Sequence, residues 1–153
     1  MSDSFTAHEG GCRCGKVRFG ISAPPLLTMA CHCKGCQRMT GSAYSLSAAI
    51  PSEGFEVLQG EPVIGGLHGP EVHHYFCPRC MSWMFTRAEG MDWFVNLRTT
   101  MLDGGVDLPP FLETFTSEKL PWAATGAPHS YETFPPYEAF DGLIQDYGAQ
   151  AAT

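Results

Sequence analysis

All seven cysteines of this chain fall in three groups, Cys12-x-Cys14, Cys31-His32-Cys33-x-x-Cys36 and Cys77-x-x-Cys80. Thiols separated by only one or two residues within such groups are well placed to grip one soft metal ion. The groups divide the thiols as two, three and two. Cys12, Cys14, Cys77 and Cys80 complete a tetrahedral thiolate site for zinc, and Cys31, Cys33 and Cys36 leave one coordination position open. A closed site holds a fold together, whereas an open, exchangeable one binds or activates something. Against these stand blander readings. The four cysteines could be buried apolar side chains, and the three could hold a zinc closed by His32 or a remote residue, or be a vacant thiol cluster.

The spacing sets geometric demands. On an extended strand Cys12 and Cys14 share a face with Cα atoms roughly 6.6 Å apart, yet sulfurs about 2.3 Å from one zinc lie roughly 3.8 Å apart. The side chains must therefore lean together, and Gly11 and Gly15 on either side permit a bend. Cys77-Pro78-Arg79-Cys80 follows the strand expected over residues 72–76, and a tight turn there aims main-chain N–H groups at the thiolates. Joined through one ion, the two pairs would clip residues 14–77, so metal loss is expected to loosen the whole domain. In the middle group, His32 is expected to point away from the face its neighbours share. Three thiolates leave a divalent ion with a net charge of −1, making it a weak acid toward bound water. It is better suited to holding an incoming thiol as thiolate.

The elements that must position these groups read as short strands. The chain has 153 residues, 44% of them apolar, which suggests one domain with a real core. Val17, Phe19 and Ile21 alternate with polar neighbours over residues 16–22, the pattern of a half-buried strand. Further strands are expected over residues 26–30, 43–50, 55–58, 72–76, 82–85 and 93–97. Turns over 51–54, 65–70 and 103–110 separate several of them. Helical periodicity is nearly absent, and 17 Gly and 12 Pro argue for an all-β sheet packing with short helical turns. The tail differs: residues 121–136 are aromatic and Pro-rich, followed by a short helix expected near 137–147. Such a tail is a candidate packing arm, site cover or homodimer contact.

Formal net charge is −7, which lacks the electrostatic footprint of a nucleic-acid binder. Arg13, Lys16 and Arg18 flank the first group of thiols, and Lys34 and Arg38 the second. No apolar run reaches the roughly 20 residues of a membrane span, and the N-terminal residues do not read as a secretory signal. An odd number of cysteines in such a chain points to a reducing compartment, with the cytoplasm as the expectation.

The strings GGCRCGKVRF at residues 10–19, ACHCKGCQRMTGSAYS at 30–45 and FCPRC at 76–80 resemble the glutathione-dependent formaldehyde-activating enzyme family, which includes centromere protein V and its relatives. RTTMLD, LPPF and SEKLPW between residues 98 and 122 are similar to that family's closing region. The resemblance implies a zinc domain over residues 10–122, with an N-terminal extension at 1–9 and a tail at 123–153 packed on or near it. It implies a Mss4-like, tent-like arrangement of small antiparallel sheets. Cys12, Cys14, Cys77 and Cys80 match the family's structural zinc ligands, and Cys31, Cys33 and Cys36 match the ligands of the zinc associated with activity. The implied activity is that of a carbon–sulfur lyase, adding glutathione or a related small thiol to formaldehyde or a related small aldehyde. Beyond the open zinc site, no catalytic residue is implied. Lys34, Arg38, Arg13 and Arg18 are the nearest cations for an anionic thiol. The competing reading is a non-catalytic zinc module that binds a protein partner or carries a small thiol. One departure stands out: the family usually has glycine directly after the second C-x-x-C, where this chain has Met81, implying strain or a different turn.

Overall fold

Alternating burial accounts for most of the strands. The computed structural model describes residues 5–67 and 69–151. Residues 1–4 of the expected extension, His68 in the turn expected over 65–70, and residues 152–153 of the tail lie outside them. Eleven strands and two α-helices are present among the described residues, so the chain is β-rich. These residues group into two units, one drawn from 5–25 and 49–107, the other from 26–48 and 108–151.

The first unit contains a three-stranded antiparallel sheet in the order β1 (His8–Gly11), β2 (Arg18–Ile21), β5 (Phe55–Gln59). It also contains an antiparallel meander of β6 (Val63–Gly65), β7 (Val72–Phe76), β8 (Trp83–Ala88) and β9 (Phe94–Leu97). Val17, Phe19 and Ile21 are all buried, as their alternation demands. Phe19 meets Phe55 with ring centroids 5.6 Å apart, and Phe55 meets Phe85 at 4.9 Å, so aromatic contacts tie sheet and meander into one core. Burying each such side chain contributes roughly 1.5–3 kcal/mol.

The second unit orders its strands β11 (His129–Ser130), β10 (Leu112–Thr114), β3 (Leu27–Cys31), β4 (Ser45–Pro51), and β4 runs on from this unit into the first. Here the sheets depart from the antiparallel expectation. β10 runs parallel to both β3 and β11. Parallel pairing needs a long return connection, and the many residues between β3 and β10 supply one. The unit also holds a helix that periodicity does not announce, α1 (Lys34–Thr40), whose residues include none that are buried. The tail helix, α2 (Phe140–Ala151), follows a 3-10 turn at Tyr137–Ala139 and so runs later than expected. Its Phe140, Leu143, Ile144 and Tyr147 form one apolar stripe, packed on a cluster of Leu27, Phe111 and Leu112. No helix among the described residues is long and apolar enough to cross a membrane.

Candidate metal centres

Cys12, Cys14, Cys77 and Cys80 come together within the first unit, each sulfur within 4.8 Å of the others. Cys12 Sγ lies 3.7 Å from Cys14 Sγ, and Cys14 Sγ lies 3.8 Å from Cys77 Sγ, matching the roughly 3.8 Å edge of a tetrahedral zinc–thiolate site. The Cys12–Cys14 pair sits in a turn rather than on a strand. Gly15 N–H donates to the Cys12 carbonyl at 3.1 Å, with Gly15 at φ 80°, and this turn brings the sulfurs closer than extended backbone would. The second pair is built the same way. Met81 N–H donates to the Cys77 carbonyl at 2.9 Å, with Met81 at φ 59°.

Main-chain donors are aimed at the sulfurs. Val17 N–H donates to Cys12 at 3.3 Å, while Arg79 and Cys80 N–H donate to Cys77 at 3.3 and 3.4 Å. Ser82 Oγ accepts from Arg13 N–H at 3.1 Å and lies 3.2 Å from Cys80 Sγ, to which it donates when that sulfur is a thiolate. That hydroxyl is the largest cause holding the Cys80 thiol down to about 5. The Lys16 main-chain N–H lowers Cys14, burial pushes Cys77 up, and the Cys14 thiolate raises the Arg79 guanidinium above its ordinary value. Arg79 and Ser82 support the cluster, and no local sequence pattern marks either as a partner of the sulfurs.

Met81 fills a left-handed position that a glycine would occupy without strain. Its side chain is largely exposed, so little packing compensates. Met81→Gly is therefore expected to raise stability by roughly 0.5–1 kcal/mol, the left-handed penalty less the entropy of a glycine. The check is a denaturant midpoint that rises at unchanged slope. An unchanged or lower midpoint would refute it.

Cys31, Cys33 and Cys36 converge within the second unit, their sulfurs also within 4.8 Å of one another. Cys31 ends β3 and Cys33 is the N-cap of α1, where its sulfur accepts the Cys36 N–H at 3.3 Å. Cys36 lies in the first turn of that helix. As free thiols the three are unequal. A hydrogen bond from Cys36 is the largest cause holding Cys31 down to about 5, the same bond pushes Cys36 up, and burial raises Cys33. Among the described residues no histidine or carboxylate joins the three sulfurs as a fourth donor.

His32 is fully buried between two of the cysteines, and its Nε2 lies 2.8 Å from Glu113 Oε1. Its Nδ1 has no hydrogen-bond partner among the described residues. Burial opposes the charge on Glu113, but hydrogen bonds from Ser130, His32 and Thr125 outweigh it and hold the carboxyl below its ordinary value. Of the candidate cations, Lys34 and Arg38 are exposed on α1 and Arg13 is exposed in the first unit. Arg18 is committed elsewhere: both Nη atoms engage Asp103, which lowers that carboxyl and raises the guanidinium.

The two clusters could each hold a metal ion, and they define a β-rich protein with one four-thiolate and one three-thiolate site. A family profile described as glutathione-dependent formaldehyde-activating enzyme matches residues 7–118, and the chain belongs to that family. A solved protein from Rhodobacter sphaeroides, a structural genomics target, is similar with a TM-score of 0.53 at 19% identity, over 65% of this chain and 90% of that one. That likeness bears on the fold alone.

Proposed function

We propose that this chain is a zinc enzyme of the carbon–sulfur lyase type that joins a glutathione-like thiol to formaldehyde or a related small aldehyde. The reaction would occur at Cys31, Cys33 and Cys36, with a second zinc at Cys12, Cys14, Cys77 and Cys80 holding the fold. The observation that carries the reading is a cluster of three sulfurs joined by no histidine, carboxylate or fourth cysteine among the described residues, in a chain of this family. Zinc in such a thiolate set supplies a soft Lewis-acid position that favours an incoming sulfur as thiolate near neutral pH. Cys33 anchors the site to the start of α1, Cys31 to the end of β3, and the exposed Lys34 and Arg38 offset the negative charge of the substrate. In the reaction the substrate sulfur bonds to the aldehyde carbon, the C=O π pair moves to oxygen, and that oxygen takes the proton the thiol lost. No oxidant or reductant is needed. The zinc domain is assigned to residues 10–122, with 1–9 as an extension and 123–153 as a tail. Its free thiols fit the reducing cytoplasm.

A metal count is expected to give two zinc ions per chain. In protein reloaded with Co²⁺, glutathione should change the cobalt–thiolate absorption. It should also speed formation of S-hydroxymethylglutathione from formaldehyde, read by exchange NMR. If glutathione does neither in protein that holds both metals, the enzymatic reading is wrong and a non-catalytic zinc module fits better.

A further inference from the structure

The polar contacts behind the three-cysteine cluster continue into the part of the chain beyond the family match, which ends at residue 118. Glu113 is almost fully buried, and both its oxygens are used. Oε1 meets His32 Nε2 at 2.8 Å and Thr125 Oγ1 at 2.9 Å, while Oε2 accepts from Ser130 Oγ at 2.6 Å. The Thr125 hydroxyl donates to Glu113, because an ionised carboxylate only accepts, and the same hydroxyl accepts from Ala127 N–H at 3.1 Å. Ser130 is held in place by strand pairing: in the parallel register of β10 and β11 it lies opposite Glu113. Two tail hydroxyls therefore supply two of the three donors that make a buried carboxylate tolerable there.

His32 is held at three points. Its N–H donates to the Thr114 carbonyl at 3.0 Å, its carbonyl accepts from Gln37 Nε2 at 2.7 Å, and its ring is held by Glu113. The residues on either side of it are Cys31 and Cys33, each about 3.8 Å away along the chain. A tilt of His32 therefore displaces both sulfurs. We propose that Thr125 and Ser130 are positioning residues of the three-cysteine site, acting through Glu113 and His32 to hold the sulfurs of Cys31 and Cys33 in metal-binding geometry. The tail is thus part of the metal site's support. The inference rests on the reading that these three cysteines bind metal.

The test uses the full chain carrying Thr125→Val with Ser130→Ala, and separately Ser130→Thr, which keeps a hydroxyl. Zinc affinity at each site is measured by competition with a chromophoric chelator, alongside the Co²⁺–thiolate spectrum and the melting temperature. The double variant should lose about 10–100-fold in affinity at the three-cysteine site, the range for outer partners of metal ligands. It should also shift the cobalt spectrum and keep the other metal, and Ser130→Thr should behave as wild type. Wild-type affinity and spectrum in the double variant, even with a lowered melting temperature, would mean the hydroxyls are only structural and overturn the inference. If the double variant does not fold, Ser130→Ala alone decides by the same measurements. A wild type that binds a single zinc, at the four-cysteine site, would instead overturn the metal reading of the three cysteines, and the inference with it.

Discussion

Replacing Cys77 with serine should cost the chain one metal ion and most of its stability. Cys77 is fully buried, its sulfur accepts two main-chain N–H bonds, and it lies 3.8 Å from the sulfur of Cys14, 63 residues earlier. A serine oxygen reaches less far and is a poor zinc ligand near neutral pH. A zinc held at this cluster would then keep three of its four thiolates. Structural zinc in small domains contributes on the order of 10–16 kcal/mol of apparent binding free energy, against total stabilities of about 5–15 kcal/mol. Losing even a third of that contribution shifts melting by roughly 10 °C or more in a chain of this size. The loss would be compounded because an ion held there would join the turn after β1 to the turn after β7, and an unclipped loop of this length recovers its closure entropy. Zinc content and a thermal melt check the result together. A Cys77→Ser protein that keeps its zinc and melts with the wild type would sink the structural role.

What could be read from the sequence was whatever repeats locally. β2 was legible because Val17, Phe19 and Ile21 alternate, and β7 because the β-branched and aromatic residues Val72, Tyr75 and Phe76 precede a turn. The convergence of the thiols was legible because sulfur spacing has few other uses. α1 was not, since none of its residues is buried and no apolar stripe marks it; it is held by a cysteine cap and by Gly41 in the left-handed region at its end. β10 and β11 escaped for another reason. They span three and two residues, too short for any period, and exist because β3 lies beside β10. The expected outward turn of His32 does separate it from the three sulfurs, but its partner Glu113 is 81 residues away and nothing local announces it. Arg18 looked like a free cation for the same reason, because Asp103 is 85 residues distant. Met81 shows the reverse case. The missing glycine was visible in the sequence, and the backbone kept the left-handed turn because the Cys77–Cys80 geometry requires it.

Cys33→Ser should remove the other metal and glutathione binding while leaving the fold in place. The substitution isolates the ligand role because the second role of Cys33 survives it. Its sulfur caps α1 by accepting the Cys36 N–H, and serine is among the strongest N-cap residues. The helix would therefore keep its cap while a metal held there would lose one of three sulfurs. An ion with three protein ligands leaves more readily than one with four, so mild chelation should already empty this site first in the wild type. With two thiolates left, affinity should fall well beyond the 10–100-fold typical of changes around a metal's ligands. The variant should then hold one zinc per chain and melt within a few degrees of the wild type, with no response of its metal absorption to glutathione. Loss of both ions together with unfolding would show that the two clusters are not independent. Retention of glutathione binding would place the thiol elsewhere than on the metal of Cys31, Cys33 and Cys36. The contrast with Cys77→Ser follows from position: Cys77 joins two segments of one unit across 63 residues, whereas Cys31, Cys33 and Cys36 span six residues of a strand end and a helix start that hydrogen bonds already hold.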